Sequence, residues 1–211
     1  MKKIYTIVVW LLLLCTLISI GGVAAYAYST AKHPENKRVV DKANLLSDDV
    51  EEKLDARIEE LSEKYKMDIL IVYVNEPVSP KGVVDDADMF FEGNGYGCGS
   101  TQDGIEFYVN LYARDVVIST MGKGEDVFTD YGTDFILAKI TPHLSESNYK
   151  DAADTYLDYV EAFLKQAEKG RPYDHNNPYR TTWDYIKRIG IFTIIFFLFG
   201  LMIATVRQDS L

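Results

Sequence analysis

Residues 93–130 read GNGYGCGSTQDG, IEFYVNLY, ARD, VVISTM and GKGEDVFTD in succession. Ile105, Phe107, Val109 and Leu111 alternate with Glu106, Tyr108 and Asn110, the period of a half-buried β-strand. Val116, Val117 and Ile118 are β-branched and suit a returning strand, with a turn at Ala113-Arg114-Asp115. The stretch therefore predicts a β-hairpin. A hairpin sets the start of its first strand beside the end of its second. The glycine-rich loop 93–104 and the loop 122–126 should then meet at one end of a sheet, bringing Asp103, Glu125, Asp126 and Asp130 together, with Arg114 at the far end.

Upstream, Val39-Val40-Asp41 suits a short edge strand. Ser47 stands at an N-cap position, followed by Asp48 and Asp49. Val50, Leu54, Ile58, Leu61 and Tyr65 keep helical spacing, and Ile69–Val74 is the continuous apolar run of a strand buried on both faces. After the breakers Pro77, Pro80 and Gly82, residues Val83, Val84, Ala87, Phe90 and Phe91 predict a short helix. Strand, helix and hairpin imply a parallel pair joined by a right-handed crossover. Downstream, Phe135, Ile136 and Ile140 mark a helix ending near Pro142. A longer one runs from Tyr149 to Ala167 and is closed by Gly170.

Two long apolar segments flank this α/β domain. Lys2 and Lys3 precede an apolar run from Ile4 to Ala25, with a small-x-small site at Ala25-Tyr26-Ala27. Residues 1–27 fit a signal peptide or an uncleaved anchor, and the length of the run favours the anchor. Ile189–Val206 carries no charge and is long enough for a transmembrane helix. The chain thus divides into that leader, a tether over 28–38, the domain over 39–170, a linker over 171–188, the span 189–206 and a short tail, 207–211. Lys32, Lys37, Arg38, Arg180, Lys187 and Arg188 on the domain side argue for a cytoplasmic domain. Long domains translocate largely regardless of charge, and the export character of the N-terminus places this one outside the cytoplasm.

The chain has a formal charge of −10. Without Lys2, Lys3, Arg188, Arg207 and Asp209, 18 basic and 31 acidic residues remain, a net of −13. Such a domain repels phosphate backbones, so no nucleic-acid partner is expected. Cys15 lies in the first apolar run and cannot pair with Cys98, and His33, His143 and His175 match no metal spacing. GNGYGCG fits neither the dinucleotide nor the Walker fingerprint, and the ordinary role of such glycines is tight turns. The carboxylates are the better candidate. Asp103, Glu125, Asp126 and Asp130 on glycine loops suit a hard cation such as Ca²⁺. Asp68 is expected nearby as support. Helix capping at Thr129 or Asp130 with solvated loop charges fits equally well.

Val40-Asp41-x-Ala43-x-Leu45-Leu46-Ser47, Asp103-Gly104, Arg114-Asp115, Gly122-x-Gly124…Phe128-Thr129-Asp130, Pro142-x-Leu144…Tyr149 and Gly170-Arg171-Pro172-Tyr173-Asp174 occur in this order. Together they resemble the TPM domain family (thylakoid acid phosphatase-like), in its bacterial membrane-anchored branch. Glu106, Tyr108 and Asn110 depart from the usual aliphatic strand, and Lys123 stands where an aromatic is common. The resemblance implies a three-layer α/β/α sandwich with a small mixed sheet. It adds Asp41 to Asp103 and Asp130 at the functional end. It also implies either of two activities. One is a tethered module binding a partner membrane protein or complex, with Ca²⁺ as a ligand. The other is a metal-assisted acid phosphatase acting outside the cytoplasm.

Overall fold

A computed structural model describes residues 37–208, with side chains as far as Phe199 in the last helix. The leader and most of the tether lie outside the described residues. Two compact units divide after Tyr173. The first contains β1 (Val39–Asp41), α1 (Asp48–Tyr65), β2 (Asp68–Val74), α2 (Val83–Gly93), β3 (Gly104–Asn110), β4 (Asp115–Met121), α3 (Lys123–Ser145) and α4 (Tyr149–Ala167). The second contains α5 (Thr182–Gln208). Among the described residues no helix is long and apolar enough to cross a membrane. The expected span, 189–206, runs on past the last described side chain.

The four strands form one mixed sheet in the order β1-β2-β3-β4, parallel up to β3 and antiparallel between β3 and β4. The apolar run of β2 is buried throughout, as its composition requires. The hairpin pairs Gly104 with Met121 and Asn110 with Asp115.

Register sorts the side chains into two faces. Val39, Ile71, Phe107 and Ile118 form one cross-strand row. On that face Phe107 packs against Tyr73 and Tyr156, and the Tyr156 hydroxyl donates to the Ile105 carbonyl. Helices α1, α3 and α4 cover it, with Phe163 of α4 stacked on Phe128, tilted against Phe135 and edge-on to Tyr173. On the other face, Leu70, Val72, Val74 and Tyr108 pack against Val83, Ala87 and Phe91 of α2. Both parallel steps move the same way across the sheet, yet α1 and α2 lie on opposite faces. The two crossovers therefore have opposite hands, and one departs from the right-handed rule.

Three expectations need correction. First, β3 is buried on both faces, not one: Glu106, Tyr108 and Asn110 are as enclosed as their apolar neighbours. β3 is a central strand, and α2 covers the face that alternation assigned to water. Glu106 has no exposed surface and neither carboxyl oxygen has a partner. A buried unpaired polar group costs about 1–3 kcal/mol. Burial, helped by the charge of Asp88, pushes this carboxyl up to about 9. Second, the expected loop after Gly122 is already helix, because α3 starts at Lys123. Third, α3 runs one turn past Ile140 and contains Pro142. Its irregularity lies earlier, at Thr129, whose φ of 35° and ψ of 171° divide it in two.

Candidate functional site

The hairpin register brings the two glycine loops together, as the sequence predicts. Asp103 is the buried carboxylate between them. One oxygen accepts from the Thr101 hydroxyl at 2.6 Å and from the Lys123 backbone N–H at 2.9 Å. The other lies 3.1 Å from the Lys123 ammonium. Asp103 thus caps α3 from a distant loop, satisfying a first-turn N–H that has no partner within the helix. Burial works to raise the Asp103 carboxyl. The hydrogen bonds from Thr101 and Lys123, with the lysine charge, outweigh it and hold the group below its ordinary value.

The glycines here permit close packing. A Cβ on Gly122, whose φ is +56°, would lie 2.5 Å from an Asp103 oxygen and against the Thr101 carbonyl. A Cβ on Gly104 would enter the Phe91 ring. Both positions exclude every larger residue for steric reasons alone.

Asp68, expected as support for this cluster, has its own partners. Its oxygens accept from Arg38 Nε at 2.7 Å and from the Gly97 N–H at 2.9 Å. The end of the sheet therefore holds two buried carboxylates, each matched to its own cation. Glu125, Asp126 and Asp130 are exposed on α3. Asp41 does not join them. It ends β1, which runs parallel to β3, whereas Asp103 precedes β3, so the two stand at opposite ends of the sheet. One Asp41 oxygen accepts from the Leu45 and Leu46 N–H groups at 2.6 and 2.7 Å. Among the described residues, no three His, Cys, Asp or Glu side chains are grouped to hold a metal ion. Of the acidic set, Asp103 has the Lys123 ammonium beside it, Glu125, Asp126 and Asp130 face water, and Asp41 stands half-buried at the other end of the sheet.

The opposite end is built differently. A groove of about 490 Å³ opens where β3 ends, lined by Asn110, Arg114, Thr141, Ser145, Ser147 and Tyr149 among others. The carboxyl ends of parallel strands are where open α/β sheets take ligands. Asn110 builds the turn. Its amide donates to the Glu76 carbonyl at 3.0 Å, and its oxygen accepts from the Tyr112 and Ala113 N–H groups at 3.0 and 3.3 Å. That turn holds Arg114 exposed and at φ 55°, and Ser147, which also lines the groove, sits at φ 60°. Non-glycine residues in the left-handed region cost on the order of 1–3 kcal/mol each and gather at functional sites. The Tyr73 hydroxyl donates to the Tyr149 carbonyl at 2.8 Å, fixing the start of α4 against the sheet. Sequence reasoning placed Arg114 at this end but missed the groove, whose far wall comes from the α3–α4 junction.

The family model described as TPM domain matches residues 39–163, the whole sheet and nearly all of its helical cover. The chain belongs to the TPM domain family. Two solved structures share the fold of this TPM domain. The N-terminal domain of a P. gingivalis protein superposes with a TM-score of 0.56 at 20% identity, over 67% of this chain and 90% of that one. The BA42 protein of the psychrophile Bizionia argentinensis gives 0.51 at 18% identity, over 67% and 94%. Comparison with curated proteins gives no match.

Proposed function

We propose that this TPM protein is a membrane-tethered module, facing outside the cytoplasm, that binds a partner membrane protein or complex through the groove at the carboxyl end of β3. The observation that carries the reading is the open groove at the carboxyl end of β3, whose lining includes Arg114 and Ser147, two left-handed non-glycine residues. The two apolar segments at the chain's ends supply the tether. Protease added to intact cells should digest the domain; full protection, with a surface protein cleaved in parallel, would reverse the topology.

The test of binding is a photo-crosslinking residue in place of Thr141 in the full chain, expressed in its native membrane. The expected product is a discrete crosslink to an integral membrane protein that disappears with Arg114→Glu. Crosslinking that is equal from Lys53, on the exposed side of α1, would overturn the assignment.

The phosphatase reading draws less support, because the buried Asp103 is occupied by Thr101 and Lys123. Release of phosphate from p-nitrophenyl phosphate by the full chain, abolished in Asp103→Asn, would restore it. Calcium is in this reading a weak ligand that must first displace the Lys123 ammonium from Asp103. Titration calorimetry should detect stronger Ca²⁺ binding in Lys123→Ala than in the wild type.

A further inference from the structure

The groove and the glycine loops leave one buried ionisable group unused. Glu106 lies at the centre of the sheet on the face that α2 covers. Register sets it beside Leu70 of β2 and Ser119 of β4. The Ser119 hydroxyl donates to an Asp88 oxygen from α2, so the helix is hydrogen-bonded to the strand directly over Glu106. Among the described residues, Asp88 is the one charge that acts on Glu106, and it has the same sign. The other titratable groups in its field are phenols: Tyr108 two residues along β3, Tyr96 from the glycine loop and Tyr156 from α4 through the sheet. Among the described residues, no cation shifts Glu106. With both oxygens unpartnered and no exposed surface, the group is tolerated only as the neutral acid.

What covers Glu106 is slight. Helices α1, α3 and α4 close the opposite face, whereas this one is closed by a single helix, α2, of 11 residues, with Tyr96 and Val78 from the loops at its two ends. Its first residue follows Gly82, at φ 108°, and no side chain caps it. Its last is Gly93, opening the glycine-rich loop. Its outer side leaves Val84 and Met89 more than half exposed. A short helix between glycine joints is an element that can open locally without unfolding the rest.

We propose that Glu106, Ser119 and Asp88 form a proton-operated latch beneath α2, which stays seated while Glu106 keeps its proton and lifts when that proton leaves to water past Asp88. Lifting hydrates the new carboxylate, separates it from Asp88 and uncovers Val83, Ala87 and Phe91. The sign follows from linkage. In the open form Glu106 titrates as an ordinary exposed carboxyl, near 4.5, and in the seated form near 9. Seating is favoured fully below the lower value. Between the two, the open fraction rises about tenfold per pH unit, and above the upper one it levels off.

Hydrogen exchange of the full chain in detergent micelles tests this, with rates corrected for intrinsic pH dependence. From pH 6 to 8.5, protection of peptides spanning α2 should fall about tenfold per pH unit in the wild type, while peptides from α4 stay constant. Glu106→Gln should remove the pH dependence. Asp88→Asn, which deletes the like charge, should lower the pH at which the fall levels off. An unchanged slope in Glu106→Gln, a flat wild-type profile, or an equal fall in α4 would overturn the latch. If Glu106→Gln does not fold, the ¹³C resonance of the wild-type Glu106 carboxyl decides: titration near neutral pH or above supports the latch, and titration between 4 and 5 overturns it.

Discussion

The two ends of the sheet hold similar residue types to opposite effect. At the glycine-loop end, Asp68 and Asp103 are buried and each is saturated: Arg38 and the Gly97 N–H serve one, Thr101 and Lys123 the other. At the carboxyl end the polar groups are open to a groove, and two of the residues that line it hold strained backbones. A satisfied charge contributes to stability and has nothing left to offer a ligand. An exposed one that lines a groove stays available to a partner. The more conspicuous acidic cluster is therefore the structural end, and the less conspicuous turn is the functional candidate.

Substitutions can sharpen or break this contrast. The largest effect is expected for Arg38→Ala. Its guanidinium and the Asp68 carboxylate are 14% and 6% exposed, and removing one partner of a buried pair costs about 3–5 kcal/mol. Chemical denaturation should show the midpoint falling with the slope unchanged; a loss under about 1 kcal/mol would mean that the pair is solvated and the contrast is wrong.

Asp103→Asn should cost less, about 1–2 kcal/mol, because the Lys123 ammonium is largely exposed and screened, leaving the Lys123 N–H and Thr101 bonds as the main loss. The carboxyl is depressed in the fold, so its contribution is present above the unfolded carboxylate value, near 4, and is lost as pH falls through the folded one. Thermal unfolding of Asp103→Asn should accordingly show a flatter acid limb than the wild type. Identical limbs would remove the cap.

The smallest effect has the opposite sign. Arg114→Gly relieves a left-handed φ and should stabilise the fold by about 0.5–1 kcal/mol, while abolishing the crosslink from the groove. A destabilised variant that still crosslinks would reduce Arg114 to an ordinary turn residue.

Much of this architecture is legible in the chain. Ile69–Val74 has the pattern of a doubly covered strand and is one, and the hairpin register follows from alternation and the turn. What misled was β3. Polar residues at every second position normally face water, but here α2 covers them. Asn110 is accommodated because its amide replaces backbone partners in the turn, whereas Glu106 has no such substitute. Asp41 was separable from Asp103 in principle, since parallel strands put the end of β1 opposite the start of β3. Residue type alone suggested a cluster that direction forbids. Lys123 read as a loop residue because its helix is capped from Asp103, twenty positions upstream. The groove was beyond reach, since nothing local announces that Ser147 and Arg114 will line the same groove.

The three-residue strand β1 has a mechanical consequence. The chain before Lys37 joins the domain through β1, which lies at the sheet's edge and parallel to β2. A pull along that chain loads the β1–β2 ladder in shear together with the Arg38–Asp68 clamp, so several bonds must yield at once. Because Asp68 also holds the Gly97 N–H, the same pull reaches the glycine loop at the base of α2. Tension on the N-terminal chain and the seating of that helix are thereby parts of one mechanical path.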